Sequence, residues 1–139
     1  MTLSELVNSL RRIADSQRNI RYTGFGDLYK DLNSNPSIHY DVFYITPGTC
    51  ASTELVDRFT LNLFYISRLL DVDGNNLLQV ESIGKEVLDN IVKIFCEEFD
   101  VDTVGNTQYT FFTQRFADLT AGVYMKVTFE IPKDTCIDE

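Results

Sequence analysis

Residues 109–131 read YTFFTQRFADLTAGVYMKVTFEI, and the reading of this stretch decides the fold class. Val123, Met125, Val127, Phe129 and Ile131 alternate with Tyr124, Lys126, Thr128 and Glu130. A period of two is that of a half-buried strand, with its apolar side chains all on one face. Tyr109 to Phe116 reads as a preceding strand, and Ala117 to Gly122 turns the chain between the two. An antiparallel pair of this kind buries its apolar face only against another layer, so the chain is expected to be a folded α+β domain.

Two further strands are expected upstream. Ser37 to Thr46 carries Tyr40, Val42, Phe43, Tyr44 and Ile45, aromatic and β-branched residues that favour a pleated surface, and Pro47 and Gly48 follow at once. Within Leu55 to Leu69, Phe59, Leu61, Leu63 and Tyr65 alternate with Arg58, Thr60, Asn62 and Phe64. The intervening Pro47 to Glu54 is too long for a two-residue hairpin turn and is expected to project as a loop, where contacts are usually made.

Helical spacing marks the rest. Thr2 and Glu5 stand in capping-box spacing before Leu3, Leu6, Val7, Leu10, Ile13 and Ala14. A second, longer helix is expected from Asn76 to Phe99, with Leu77, Val80, Ile83, Val87, Leu88, Ile91, Ile94 and Phe95 on one face. Gly84 costs it about 1 kcal/mol against alanine, so it marks either close packing on the sheet or a helix that begins after Ser82. Between the first helix and the first strand, Gly24, Gly26 and the cluster Asn33–Pro36 read as a connector, with one more helical turn over Asp27–Leu32. The expected order is α-β-β-α-β-β: a small mixed or antiparallel four-stranded sheet with two helices on one face. One domain spans 1–139, with 1–36 as helix plus connector and 132–139 as an acidic tail.

The 139 residues suffice for a self-supporting core, and 44% are hydrophobic. Twenty-one acidic against twelve basic side chains give a net charge of -9, which works against sequence-independent binding of a phosphate backbone. The same charge lets nucleic acid pass without being held. Cys50, Cys96 and Cys136 are odd in number and never spaced as C-x-x-C, so neither a disulfide framework nor a zinc site is expected. No signal peptide and no membrane span is read in the sequence, which places its synthesis in a reducing cytoplasm.

The chemical motifs fail one by one. Asp71, Asp73 and Asn75 occupy the first, third and fifth places of a calcium loop, but Asn76 stands where glycine is needed and Ser82 where a bidentate glutamate is needed. His39, the one histidine, sits in an expected strand with no patterned nucleophile beside it. Cys50 has no neighbouring cation to activate it, and Gly24-Phe25-Gly26 lacks the strand and third glycine of a phosphate loop. The acids Glu97, Glu98, Asp100 and Asp102, and Asp134, Asp138 and Glu139 in the tail, read as solvated charge. No cofactor, metal site or catalytic group is expected. Ten phenylalanines and seven tyrosines are more than one helix-covered face needs, and Phe43, Phe64, Phe112 and Tyr124 are expected to spread over both faces of the sheet. A partner subunit or second layer is the expected cover for the outer one.

The element order, the chain length, the turn Asp73-Gly74-Asn75-Asn76 before the main helix and the corner Phe116–Val123 leading into the alternating last strand resemble the tail terminator, or tail completion, proteins of tailed bacteriophages. The resemblance runs from Ser37 to Ile131; the residues through Pro36 do not map onto it. It implies a non-enzymatic virion protein, a ring of identical subunits, commonly six. The ring would close the tail tube and meet other tail or neck proteins on the head side, leaving a channel through which DNA passes unbound. It implies subunit contacts at Thr49 and Cys50 in the projecting loop and at Phe64, Phe112 and Tyr124 on the aromatic surface, with Arg58 and Arg115 pairing acids across a boundary. The alternative expectation is a small acidic adaptor or inhibitor that binds a basic protein.

Overall fold

A computed structural model describes residues 1–34, 39–69, 74–115 and 119–133. The elements run α1 (Leu3–Asp15), β1 (Tyr22–Phe25), α2 (Leu28–Ser34), β2 (Val42–Ser52), β3 (Val56–Arg68), α3 (Gly74–Phe99), β4 (Asp102–Thr103), β5 (Gln108–Arg115) and β6 (Leu119–Pro132). The class is α+β, as expected, but the described residues form a six-stranded sheet and three helices.

The sheet is built around the long antiparallel pair of β3 and β6, in register from Val56 opposite Pro132 to Arg68 opposite Thr120. β2 lies antiparallel on the other side of β3, and β1 extends it in parallel by four residues, Tyr22 opposite Val42 to Phe25 opposite Ile45. On the far side of β6, β4 and β5 pair in succession. The alternation of β3 and β6 sends Leu61, Leu63, Tyr65, Val123, Met125, Val127 and Phe129 to one face, all of them buried.

That inner face is covered by α1 and α3. Helix α1 begins at the expected capping box: the Glu5 amide donates to Thr2 Oγ1 at 3.1 Å and the Thr2 amide to Glu5 Oε1 at 2.9 Å. Its stripe of Leu6, Val7, Leu10, Ile13 and Ala14 is buried. Helix α3 runs unbroken through Ser82, so the shorter form is not adopted. Gly84 is the reason it sits so close to the sheet: a Cβ there would lie 2.7 Å from Tyr65 Cδ2 and 3.0 Å from Val123 Cγ2. Phe95 meets Phe129 edge-on with ring centroids 5.0 Å apart, a favourable aromatic geometry that fixes the C-terminal half.

Three expectations are corrected. The connector through Gly24 contains strand β1, because Gly24 lets the backbone lie on the Tyr44 ring, where a Cβ would come within 2.5 Å. The helices are not all on one face: α2, capped where the Lys30 amide donates to Asp27 Oδ1 at 3.1 Å, lies on the outer face with Leu28 and Leu32 against Val42, Tyr44 and Ile66. Pro47 to Glu54 is not a loop but mostly strand, since β2 continues to Ser52 through a bulge between Pro47 and Thr49. Gly48 makes that bulge possible, as a Cβ there would be 2.1 Å from the Thr60 carbonyl oxygen. The Phe116–Asp118 corner, the Asp71 and Asp73 turn, and the acidic tail with Cys136 lie outside the described residues.

Candidate functional site

Helix α2 has seven residues, about 10 Å of length, so it covers one end of the outer face, and the other described residues leave the rest of it open. Across that open part the side chains are ordered by the strand register. Arg58 of β3 faces Glu130 of β6, with Nη2 2.8 Å from Oε1; Thr60 and Thr128 join hydroxyls at 2.8 Å; Asn62 stands opposite Lys126. Then the surface turns aromatic. Phe64 stacks on Tyr124 at 5.0 Å between centroids and 28° between planes, and Phe112 of β5 closes on Phe64 edge-on at 6.2 Å and 74°. Beyond it, Arg68 lies over the Tyr40 ring at 5.7 Å, a cation–π contact.

A groove of about 520 Å³ runs along this aromatic floor, bounded by Thr46 and Asn62 at one end and by the Gly26–Tyr29 turn into α2 on its side. Tyr44 is buried with Leu28 and Leu32 of α2; its hydroxyl donates to the Asp31 carboxylate, and burial together with that carboxylate holds the phenol well above its ordinary pKa. Among the described residues the lining is aromatic rings with Leu28, Thr46, the Asn62 amide and one carboxylate, Asp27. Such a surface can bind by shape and stacking.

The sequence-derived contacts fall in three places. Phe64, Phe112 and Tyr124 come together in the aromatic patch, whereas Phe43 is on the inner face and fully buried. Thr49 and Cys50 are exposed on the outer half of β2, on a strand rather than a loop. Arg58 is paired within its own chain by Glu130. Arg115 ends β5, and its side chain lies outside the described residues. His39 precedes β2, exposed, instead of lying in it. Among the described residues no cluster of three or more His, Cys, Asp or Glu could hold a metal ion, and no helix is long and apolar enough to cross a membrane.

The exposed acids gather at one end, where α3 runs into β4: Glu97, Glu98, Asp100 and Asp102, with Glu98 bonded to Arg12 of α1. Nearby, burial and the Asp102 charge push the Cys96 thiol up, which leaves it a packing residue.

Fold and site together define an α+β protein whose sheet carries two helices on one face and, beside the short α2, a half-buried aromatic platform on the other. No family model matches the chain, and no curated protein shows significant similarity to it.

Proposed function

We propose that the protein is a non-enzymatic subunit of a ring at the tail end or neck of a tailed bacteriophage, closing the tail tube towards the head and leaving a channel through which DNA passes. The observation that carries this reading is the aromatic platform of Phe64, Phe112 and Tyr124, three half-buried rings on a face of the sheet that the described residues cover only in part. A neighbouring subunit or ring partner seated there would remove this apolar surface from water. The net charge of -9 supports passage of DNA rather than binding, since like charge removes the counterion gain that holds a duplex. Light scattering behind a sizing column, over a concentration series, tests it: a discrete closed oligomer is the expected result, and a monomer at every concentration counts against it.

The four exposed acids at the end of α3 favour a second reading, a small acidic adaptor that engages a basic protein. A monomer that captures a basic partner in a salt-dependent way, and loses it when Glu97 and Asp100 are made neutral, is the outcome that selects this reading.

A further inference from the structure

Edge strands are ordinarily protected, because a row of unpaired N–H and C=O groups invites another strand. Three of the sheet's edge segments follow that rule. β4 has two residues; β1 has four, and Arg11 of α1 donates to its Thr23 carbonyl oxygen at 3.2 Å and to the Thr23 hydroxyl at 3.3 Å. The segment around Pro47 is bulged and lacks an amide donor. β5 has none of these devices. Its eight residues carry no proline, and Gln108 to Gln114 carry no charge. Among the described residues its far edge pairs with nothing. Its helix-side flank carries two exposed apolar side chains: Phe111 is 51% exposed beside Leu78 of α3, itself 65% exposed, in a groove of about 230 Å³ that Glu81, Ser82 and Lys85 also line.

A matching edge stands on the opposite side of the same sheet. β1 covers β2 only as far as Ile45, so beyond the bulge Thr49, Cys50, Ala51 and Ser52 are paired with β3 on one side and, among the described residues, with no strand on the other. These four residues are small, uncharged and exposed. They suit a strand that carries large side chains, as β5 does with Tyr109, Phe111 and Phe112. One chain therefore presents both halves of a contact at opposite edges.

We infer that β5 of one subunit adds edge-on to the Thr49–Ser52 segment of β2 in the next copy, so that the sheet continues from subunit to subunit. A contact between two different edges is heterologous, and it closes into a ring when the rotation per subunit allows. The inference rests on the ring reading and specifies how its subunits join.

The faces dictate the test. Cys50 lies opposite Phe59, Phe111 opposite Val123 and Thr113 opposite Ala121, so all three side chains belong to the helix side. With Cys96→Ala and Cys136→Ser as background, Phe111→Cys and Thr113→Cys are introduced separately and the purified chains are mildly oxidised. The expected result is a ladder of cross-linked dimers, trimers and higher forms from at least one variant, ending at the ring number and abolished by Cys50→Ser. Dimers alone, surviving Cys50→Ser, would mean that β5 pairs with itself and overturn the inference. A discrete oligomer with no cross-link from either variant overturns it as well, while leaving the ring reading in place. A chain that is monomeric throughout removes both.

Discussion

The hydroxyl of Tyr65, buried beneath α3, donates to the carboxylate of Asp41, and Ser67 donates to the other oxygen of that carboxylate at 2.6 Å. The bond ties the centre of β3 to the chain just ahead of β2, whose Asp41 carbonyl also accepts from the Arg21 amide at 2.8 Å. Replacing Tyr65 by Phe removes one charged hydrogen bond while keeping the ring, and about 1–3 kcal/mol of stability should be lost in urea unfolding. Asp41→Ala should cost more, because it removes the carboxylate that accepts from both Tyr65 and Ser67.

Two phenols link stability to alkaline pH. Burial and the Asp41 carboxylate raise the Tyr65 pKa, and burial and Asp31 raise that of Tyr44. An unfolded tyrosine releases its proton at about pH 10, whereas the folded chain keeps both protons beyond that. Above that pH the folded state binds more protons than the unfolded one, so stability falls as pH rises. Unfolding free energies from pH 8 to 11 should be flat at first and then decline, and the decline should be shallower in Tyr65→Phe.

Gly84 places helix propensity and packing in opposition. Alanine favours the helix by about 1 kcal/mol, but its methyl carbon would press on Tyr65 and Val123, both buried and held by neighbours. Tyr65 has no free end to give way, since its hydroxyl is fixed on Asp41. Overpacking of this kind costs about 1–3 kcal/mol, so Gly84→Ala should lower the melting temperature despite the better helix former.

Much of this architecture can be read from side-chain period. The alternation in Phe59–Tyr65 and Val123–Ile131 gives the inner face, and the spacing in Leu3–Ala14 and Leu77–Phe95 gives the helices that cover it. The capping box of Thr2 and Glu5 is local, which makes it legible. β1 was not, because Tyr22–Phe25 is too short for a period and its glycine serves a contact with Tyr44 twenty residues away. The strand character of Thr49–Ser52 was hidden behind Pro47-Gly48, a pair that reads as a turn unless the bulge opposite Thr60 is known. The aromatic residues of the platform were identifiable, but their meeting depends on the register that sets Phe64 against Tyr124 and Gly122 against Phe112.

The two described cysteines should separate cleanly. Cys50 is exposed on the outer half of β2, whereas Cys96 is half-buried on α3 with its thiol pKa raised by burial and by Asp102. With Cys136→Ser as background, iodoacetamide at neutral pH should modify the folded chain at Cys50 first, and Cys96 should react at a comparable rate only in denaturant. Mass spectrometry of peptides over time checks the order; equal rates in the folded chain would contradict the packing of Cys96.

Tyr124→Glu addresses the platform itself. Tyr124 is only half-buried and its ring stacks on Phe64, so a carboxylate in its place removes stacking and adds charge to the groove floor without opening the inner core. The loss of the aromatic contacts should cost about 0.5–1.5 kcal/mol beyond the buried area, small enough for the fold to persist. If the platform is where a neighbouring subunit or partner seats, the variant should keep its circular dichroism spectrum and lose the oligomer in light scattering. An unchanged oligomer would remove this face from assembly and leave the sheet edges as the only contact still in contention.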